Sequence, residues 1–235
     1  MTSKTKTNTS FFKPCLNSLQ LKWIAMSLMV IDHIGAILLS PDTSLYWVCK
    51  FFGRLSFPIF CFLIAEGFIH TRDVGKYMFR LGSFAFIAEI PYDLAVSRSI
   101  SDPYYQNVFF TLLLGLISLV LYERFNNKNQ RALGFIMVLP CALLATILGS
   151  DYGAFGVLLI FILYIFRNSW IVRDVACCGF SVFISSAMAL EWAASFALIP
   201  IHLYNGEKGH SRMPRWFFYA FYPLHLLVLW LISLL

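Results

Sequence analysis

Few residues in this chain can exchange a proton or carry a charge inside its long apolar runs. Asp32 and His33 stand in IDHIGA, Arg54 in GRLSFPIF, Glu66 in AEGF and Asn107 in QNVFF. Glu89 and Asp93 share EIPYDLA, Asp151 and Tyr152 begin DYGAFG, and His225 lies in FYPLHLL. An imidazole that titrates near neutral pH, with carboxylates at the same depth, suits general acid–base chemistry. A guanidinium or an amide at that depth suits charge developing on a carbonyl oxygen. Ionisable groups among apolar residues are costly, so each is a functional candidate, the competing reading being a buried ion pair between helices.

Spacing narrows the roles. Asp32 and His33 are neighbours and point about 100° apart on a helix, so the partner that orients His33 must come from elsewhere, with Asp93 and Asp151 the candidates. His225 is the competing base. Lys22 precedes His33 by eleven residues, which places both on one helix face about 16 Å apart. That pair suits a long ligand with an anionic head and a reactive tail, the shape of an acyl-coenzyme A. Lys22 alone is equally a snorkelling anchor at the membrane surface.

These residues must be positioned by elements built for lipid. Of 235 residues, 59% are hydrophobic and only 13% charged, against about a quarter charged in soluble domains. Nine apolar runs approach the length of about 20 residues that spans a bilayer: 21–39, 46–69, 77–97, 107–122, 132–149, 153–166, 175–190, 192–204 and 216–235. With the N-terminus inside, fifteen of the eighteen Lys and Arg residues fall on the inner side, as the positive-inside rule requires. The fold expected is therefore an all-α polytopic transmembrane bundle of about nine spans (eight to ten) in the cytoplasmic membrane. Its N-terminus faces in, its C-terminus out, and a single membrane domain, 21–235, follows a cytoplasmic tail, 1–20. One long helix over 175–204 would break the charge pattern, so two short helices meeting near Glu191 are expected. The basic clusters act as orientation signals, so no nucleic-acid partner is implied. The six cysteines lack metal-ligand spacing and read as small hydrophobes, so no metal is expected.

The segments LKWIAMSLMVIDHIGA, FGRLSFPIFCFLIAEGF, YMFRLGSFAFIAEIPYDLA, DYGAFG and FYAFYPLHLLVL resemble, in order, the TraX family of membrane proteins. That family is linked to acetylation of a pilin N-terminus and is similar to the acyltransferase-3 kind of membrane acyltransferase, whose first helix places a basic residue eleven positions before a catalytic histidine. The resemblance implies an acetyltransferase that takes acetyl-CoA as co-substrate from the cytoplasmic side. Its acceptor would be a pilin-like peptide, an envelope sugar or a small molecule at the outer half of the membrane. It implies His33 as general base, oriented by Asp93 or Asp151, with Asp32 beside it and Arg54 and Asn107 stabilising the carbonyl oxygen. Lys22, Arg72, Lys76 and Arg80 would meet the coenzyme phosphates, the last three standing where related enzymes carry paired arginines. A transporter, or a non-catalytic component of conjugation or secretion machinery, is the alternative.

Overall fold

The computed structural model describes residues 13–186 and 189–235, and every regular element in that range is helical. In chain order these are α1 (Ser18–Leu38), α2 (Ser44–Gly53), α3 (Ser56–His70), α4 (Val74–Val96), α5 (Val108–Asn126) and α6 (Arg131–Ile136). Next come α7 (Val138–Ile147), α8 (Gly153–Ile165), α9 (Trp170–Ile184), a 3-10 segment (Glu191–Ala197), α10 (Leu198–His202) and α11 (Arg215–Ile232).

Proline explains where the longer apolar runs are interrupted. The run expected as one span, 46–69, is two helices, α2 and α3, that part at Arg54 and Leu55. Pro58 has no N–H to give the Arg54 carbonyl four residues back, so the ladder breaks there. The run 132–149 divides into α6 and α7 at Met137 for the same reason, since Pro140 cannot serve the Ile136 carbonyl. Pro91 and Pro223 sit inside α4 and α11 without ending them. Residues 175–204 form two oppositely running pieces, as expected, with Asp174 of α9 against His202 of α10.

Joined across these breaks, the described residues form nine helical rods that alternate in direction. Asn107 at the head of α5 meets Glu89 of α4, and Phe110 meets Phe86, which fixes that pair as antiparallel. Phe155 of α8 meets Phe180 of α9 in the same sense. The first and last rods are parallel: Trp23 packs on Phe217 and Phe218 near their starts, and His33 meets His225 ten residues beyond Trp23 and seven beyond Phe218. The chain therefore enters and leaves the bundle at opposite ends.

The centre is α3, α5 and α8, where Ile59, Leu116, Leu119, Val157 and Ile160 are fully buried. Two glycines allow α5 and α8 to touch. A Cβ on Gly115 would stand 2.3 Å from Ile160 Cδ1, and one on Gly156 would stand 2.3 Å from Thr111 Cγ2. Small residues at such crossings are how helices pack where lipid removes the hydrophobic drive. The perimeter is equally apolar: Phe79, Phe86, Ile147 and Phe183 are each at least 70% exposed. Soluble proteins rarely present so much outward apolar surface. Three helices, Ser18–Leu38, Ser44–His70 (α2 and α3 together) and Val108–Asn126, are long and apolar enough to cross a bilayer. Arg131–Ile147, Gly153–Ile165 and Trp216–Ile232 are shorter apolar helices.

The expected tail, 1–20, includes residues 1–12, among them Lys4 and Lys6, that lie outside the described residues. Its last part is joined to the bundle. Asn17 and Gln20 cap α1 reciprocally, and the backbone of residues 15–18 bonds to Leu203, Asn205 and Glu207.

Candidate functional site

The site is built first by a hairpin, α1 and α2, joined through residues 39–43. Residues equally distant from that loop face each other, so Asp32 and Lys50 meet with Nζ–O distances of 3.0 and 3.1 Å. Gly53 permits the approach, because a Cβ there would lie 2.2 Å from Asp32 Oδ1. Ser56 then ties α3 to α1 by donating to the Ala25 carbonyl at 2.8 Å.

His33, one step round α1, faces α11. Its Nδ1 lies 2.8 Å from Nε2 of His225, whose own Nδ1 lies 2.9 Å from the Phe221 carbonyl one turn back. The ring planes are tilted by 44°, and the Tyr222 ring presents an edge to His33 at 6.0 Å. A cavity of about 90 Å³ opens beside His33, with Asp32, Ser56, Asp151, Tyr152 and Tyr222 in its wall and Met26, Met29, Phe57 and Leu112 completing it.

Arg54 stands behind this wall. The break at Pro58 turns it inward, where Nη1 donates to the Tyr152 hydroxyl at 3.3 Å and Nε pairs with Glu191 at 3.4 Å. Tyr152 has a left-handed backbone, φ +63°, unusual for a bulky residue, and its ring stacks flat on Phe57 at 3.7 Å. Strained tyrosine, half-buried arginine and cavity wall meet at one point, as strain does at functional sites. Three carboxylates (Asp32, Asp151 and Glu191) surround two cations (Lys50 and Arg54).

Asp93 and Asn107 lie in a second cluster, apart from the cavity wall. Asn107 is wholly buried as the cap of α5: its Oδ1 accepts from the Phe109 N–H at 3.0 Å. Its Nδ2 donates to the Ala85 carbonyl at 2.7 Å and to Glu89. Both amide hydrogens are occupied, so the expected donation to a substrate oxygen has no hydrogen left to make it. Asp93 is 2% exposed and accepts the Asp102 backbone N–H at 3.0 Å. The expectation that Asp93 or Asp151 orients His33 is corrected by the geometry. Asp93 is tied to the loop after α4, Asp151 lines the cavity, and the contact on His33 Nδ1 is His225. His225, the competing base, is hydrogen-bonded to His33. Asp102, in the exposed loop, is held below the ordinary carboxylate value by the Ser97 hydroxyl, then by the Tyr104 N–H.

At the opposite end of α1, Lys22 lies over the Phe218 ring of α11 at 5.3 Å. Arg80 sits one turn before Phe84, which stacks on Tyr219, so Lys22 and Arg80 flank the same stretch of α11. The buried Nε of Arg80 has no hydrogen-bond partner. Arg72 is exposed, and Lys76 pairs with Asp73 at 3.1 Å across the first turn of α4. The Lys76 N–H, then its ammonium, hold the Asp73 carboxyl below its usual range.

Lys50, Glu191 and Tyr222 therefore join the set that sequence reasoning assembled, and Tyr152 and His225, already candidates there, gain Arg54 and His33 as partners. The equal distance of Asp32 and Lys50 from the loop was a readable signal for one of them. The others come from segments far apart in the chain, and no local spacing marks them.

The family model described as TraX protein matches residues 18–233. The chain is also similar to a probable fimbrial assembly protein FimC, serogroup H1, of Dichelobacter nodosus. The two are 29% identical over 240 residues, which cover 91% of this chain and 94% of that protein. No solved structure matches.

Proposed function

The chain belongs to the TraX family, and from that premise and the cavity beside His33 we propose that it is an integral membrane acetyltransferase using acetyl-CoA. The observation that carries the reading is the placement of His33. It borders a small cavity with carboxylates and a tyrosine hydroxyl in its wall, on the face of α1 that carries Lys22 three turns away. The cavity suits the acetyl group and the attacking atom. The body of the coenzyme then runs along the α1–α11 seam towards Lys22 and Arg80, whose positive charges suit its phosphates.

In the reaction, an amine or hydroxyl of the acceptor attacks the thioester carbonyl while His33 removes its proton. The new N–C or O–C bond forms as the C–S bond breaks, and the thiolate of the coenzyme leaves with the proton that His33 returns. The Tyr152 hydroxyl, which accepts from Arg54, still has its own hydrogen to offer the carbonyl oxygen as charge develops there. Arg54 thus acts through Tyr152. No step calls for a metal, and the described residues contain no group of three or more His, Cys, Asp or Glu that could hold one.

The proposed orientation keeps the N-terminus and the basic loops in the cytoplasm and the C-terminus outside, in the cytoplasmic membrane. It rests on the basic-residue bias and on the parallel first and last rods. Acetyl-CoA then enters from within, and the acceptor meets the cavity from the outer half. The relative is named for fimbrial assembly, which favours a pilin-like subunit among acceptors. The test is acetyl transfer by purified protein in proteoliposomes, from labelled acetyl-CoA to peptides with free N-termini, sugars and small amines. Labelled product in one class supports the reading. Absence of both transfer and acetyl-CoA binding returns the chain to a non-catalytic role in pilus assembly.

A further inference from the structure

We infer that His225 is the positioning residue for His33, fixing its tautomer so that Nε2 is the nitrogen that accepts the substrate's proton. The inference rests on the proposed transfer for its meaning and on hydrogen-bond geometry for its content. A carbonyl oxygen can only accept, so the 2.9 Å contact between His225 Nδ1 and the Phe221 carbonyl places a hydrogen on Nδ1. A neutral His225 then has a bare Nε2. The 2.8 Å contact from that nitrogen to His33 Nδ1 requires the hydrogen to be on His33. Its remaining nitrogen, Nε2, is left bare, and His33, not His225, is the ring that borders the cavity.

The opposite arrangement would put hydrogens on both nitrogens of His225 and make it a cation. Among the described residues the ion-paired histidines are His70 and His202, and neither His33 nor His225 has a carboxylate within ion-pair distance. An uncompensated buried charge is the costlier state. The Phe221 ring stacked on His225 at 5.4 Å and the Tyr222 edge at 5.6 Å hold the second ring in place. His225 thus occupies the role a carboxylate plays for many catalytic histidines, with a backbone carbonyl behind it in place of a negative charge. When His33 takes a proton at Nε2, His225 Nε2 continues to accept from Nδ1–H, so no hydrogen bond must be rebuilt during the step.

The experiment uses full-length protein, nitrogen-15 labelled at histidine, in lipid nanodiscs. Long-range proton–nitrogen correlations distinguish rings protonated at Nδ1 from those protonated at Nε2. Wild-type protein should show both His33 and His225 as Nδ1–H rings, assigned by His33→Gln and His225→Gln. His225→Ala should release His33 to a population carrying Nε2–H. Turnover should fall about 10- to 100-fold, typical for loss of a group that orients a functional one, with KM for acetyl-CoA unchanged. His225→Gln offers a carbonyl oxygen to Nδ1–H and should recover most of the rate. A wild-type His33 protonated at Nε2, or a His33 spectrum indifferent to His225→Ala, overturns the assignment. If wild-type protein transfers acetyl to no acceptor, the proposed function fails, and the spectra still decide the histidine pair.

Discussion

Two polar clusters lie towards the same end of the bundle, built from the same kinds of residue. Around α1, α2 and the α7–α8 turn, Asp32, His33, Asp151 and Tyr152 line a cavity, and Arg54 stands one contact behind. Where α4 hands over to α5, Glu89, Asp93, Asn107 and Asp102 bond chiefly to backbone N–H and C=O groups and to one another. In the second cluster the hydrogen bonds seal a helix start and the loop before it, a structural need wherever a helix begins in a buried place. In the first, side chains meet other side chains around open space. Depth does not separate the two clusters; the first borders a cavity, whereas the second faces backbone and leaves Glu89 Oε1 and Asp93 Oδ1 buried without a hydrogen-bond partner.

His33→Ala would strain this contrast most. It should lower acetyl transfer by about two to four orders of magnitude, with insertion and melting near normal. A well-folded variant that transfers at close to the wild-type rate would move the chemistry elsewhere. Next is Tyr152→Phe, which keeps the stack on Phe57 and removes the hydroxyl that Arg54 reaches. Loss of one such donor should reduce kcat by about 100-fold with KM nearly unchanged. A rise in KM alone would make Tyr152 a binding wall.

The double variant Lys22→Ala, Arg80→Ala should raise KM for acetyl-CoA about tenfold while kcat holds, since phosphate contacts bind ground and transition states alike. High salt should weaken wild-type binding in the same direction. If affinity for the coenzyme is unaltered, both residues serve only to orient the chain. The smallest effect on catalysis belongs to the sealed cluster. Asn107→Ala should cost about 1–2 kcal/mol of stability through the lost cap, read as a lower melting temperature in detergent. The rate per folded molecule should stay within about twofold. A large fall in kcat at unchanged stability would erase the distinction between the clusters.

Much of the frame was legible in the sequence because lipid imposes strong local rules. Length and apolarity marked the runs, and Glu191 was correctly placed between two short pieces. The family resemblance, carried by the same segments, is matched over residues 18–233. Helical periodicity also gave the shared face of Lys22 and His33, a property of one helix alone. The break at Arg54 was written in Pro58, whose missing N–H acts at a fixed distance of four residues.

The membership of the site was decided only in three dimensions. His33 and His225 are 192 residues apart, and Arg54 and Tyr152 are 98 apart. Nothing in a run of apolar residues states which faces of two distant helices will meet. That choice depends on small residues such as Gly53 and Gly156, which let backbones approach, and on the rotation of α11 against α1. The sequence by itself determined that polar groups would collect towards one end of a helical bundle. The tertiary structure decided that His33 would find an imidazole and not a carboxylate, because a side chain's partner is set by the helix packed against it and not by its neighbours along the chain.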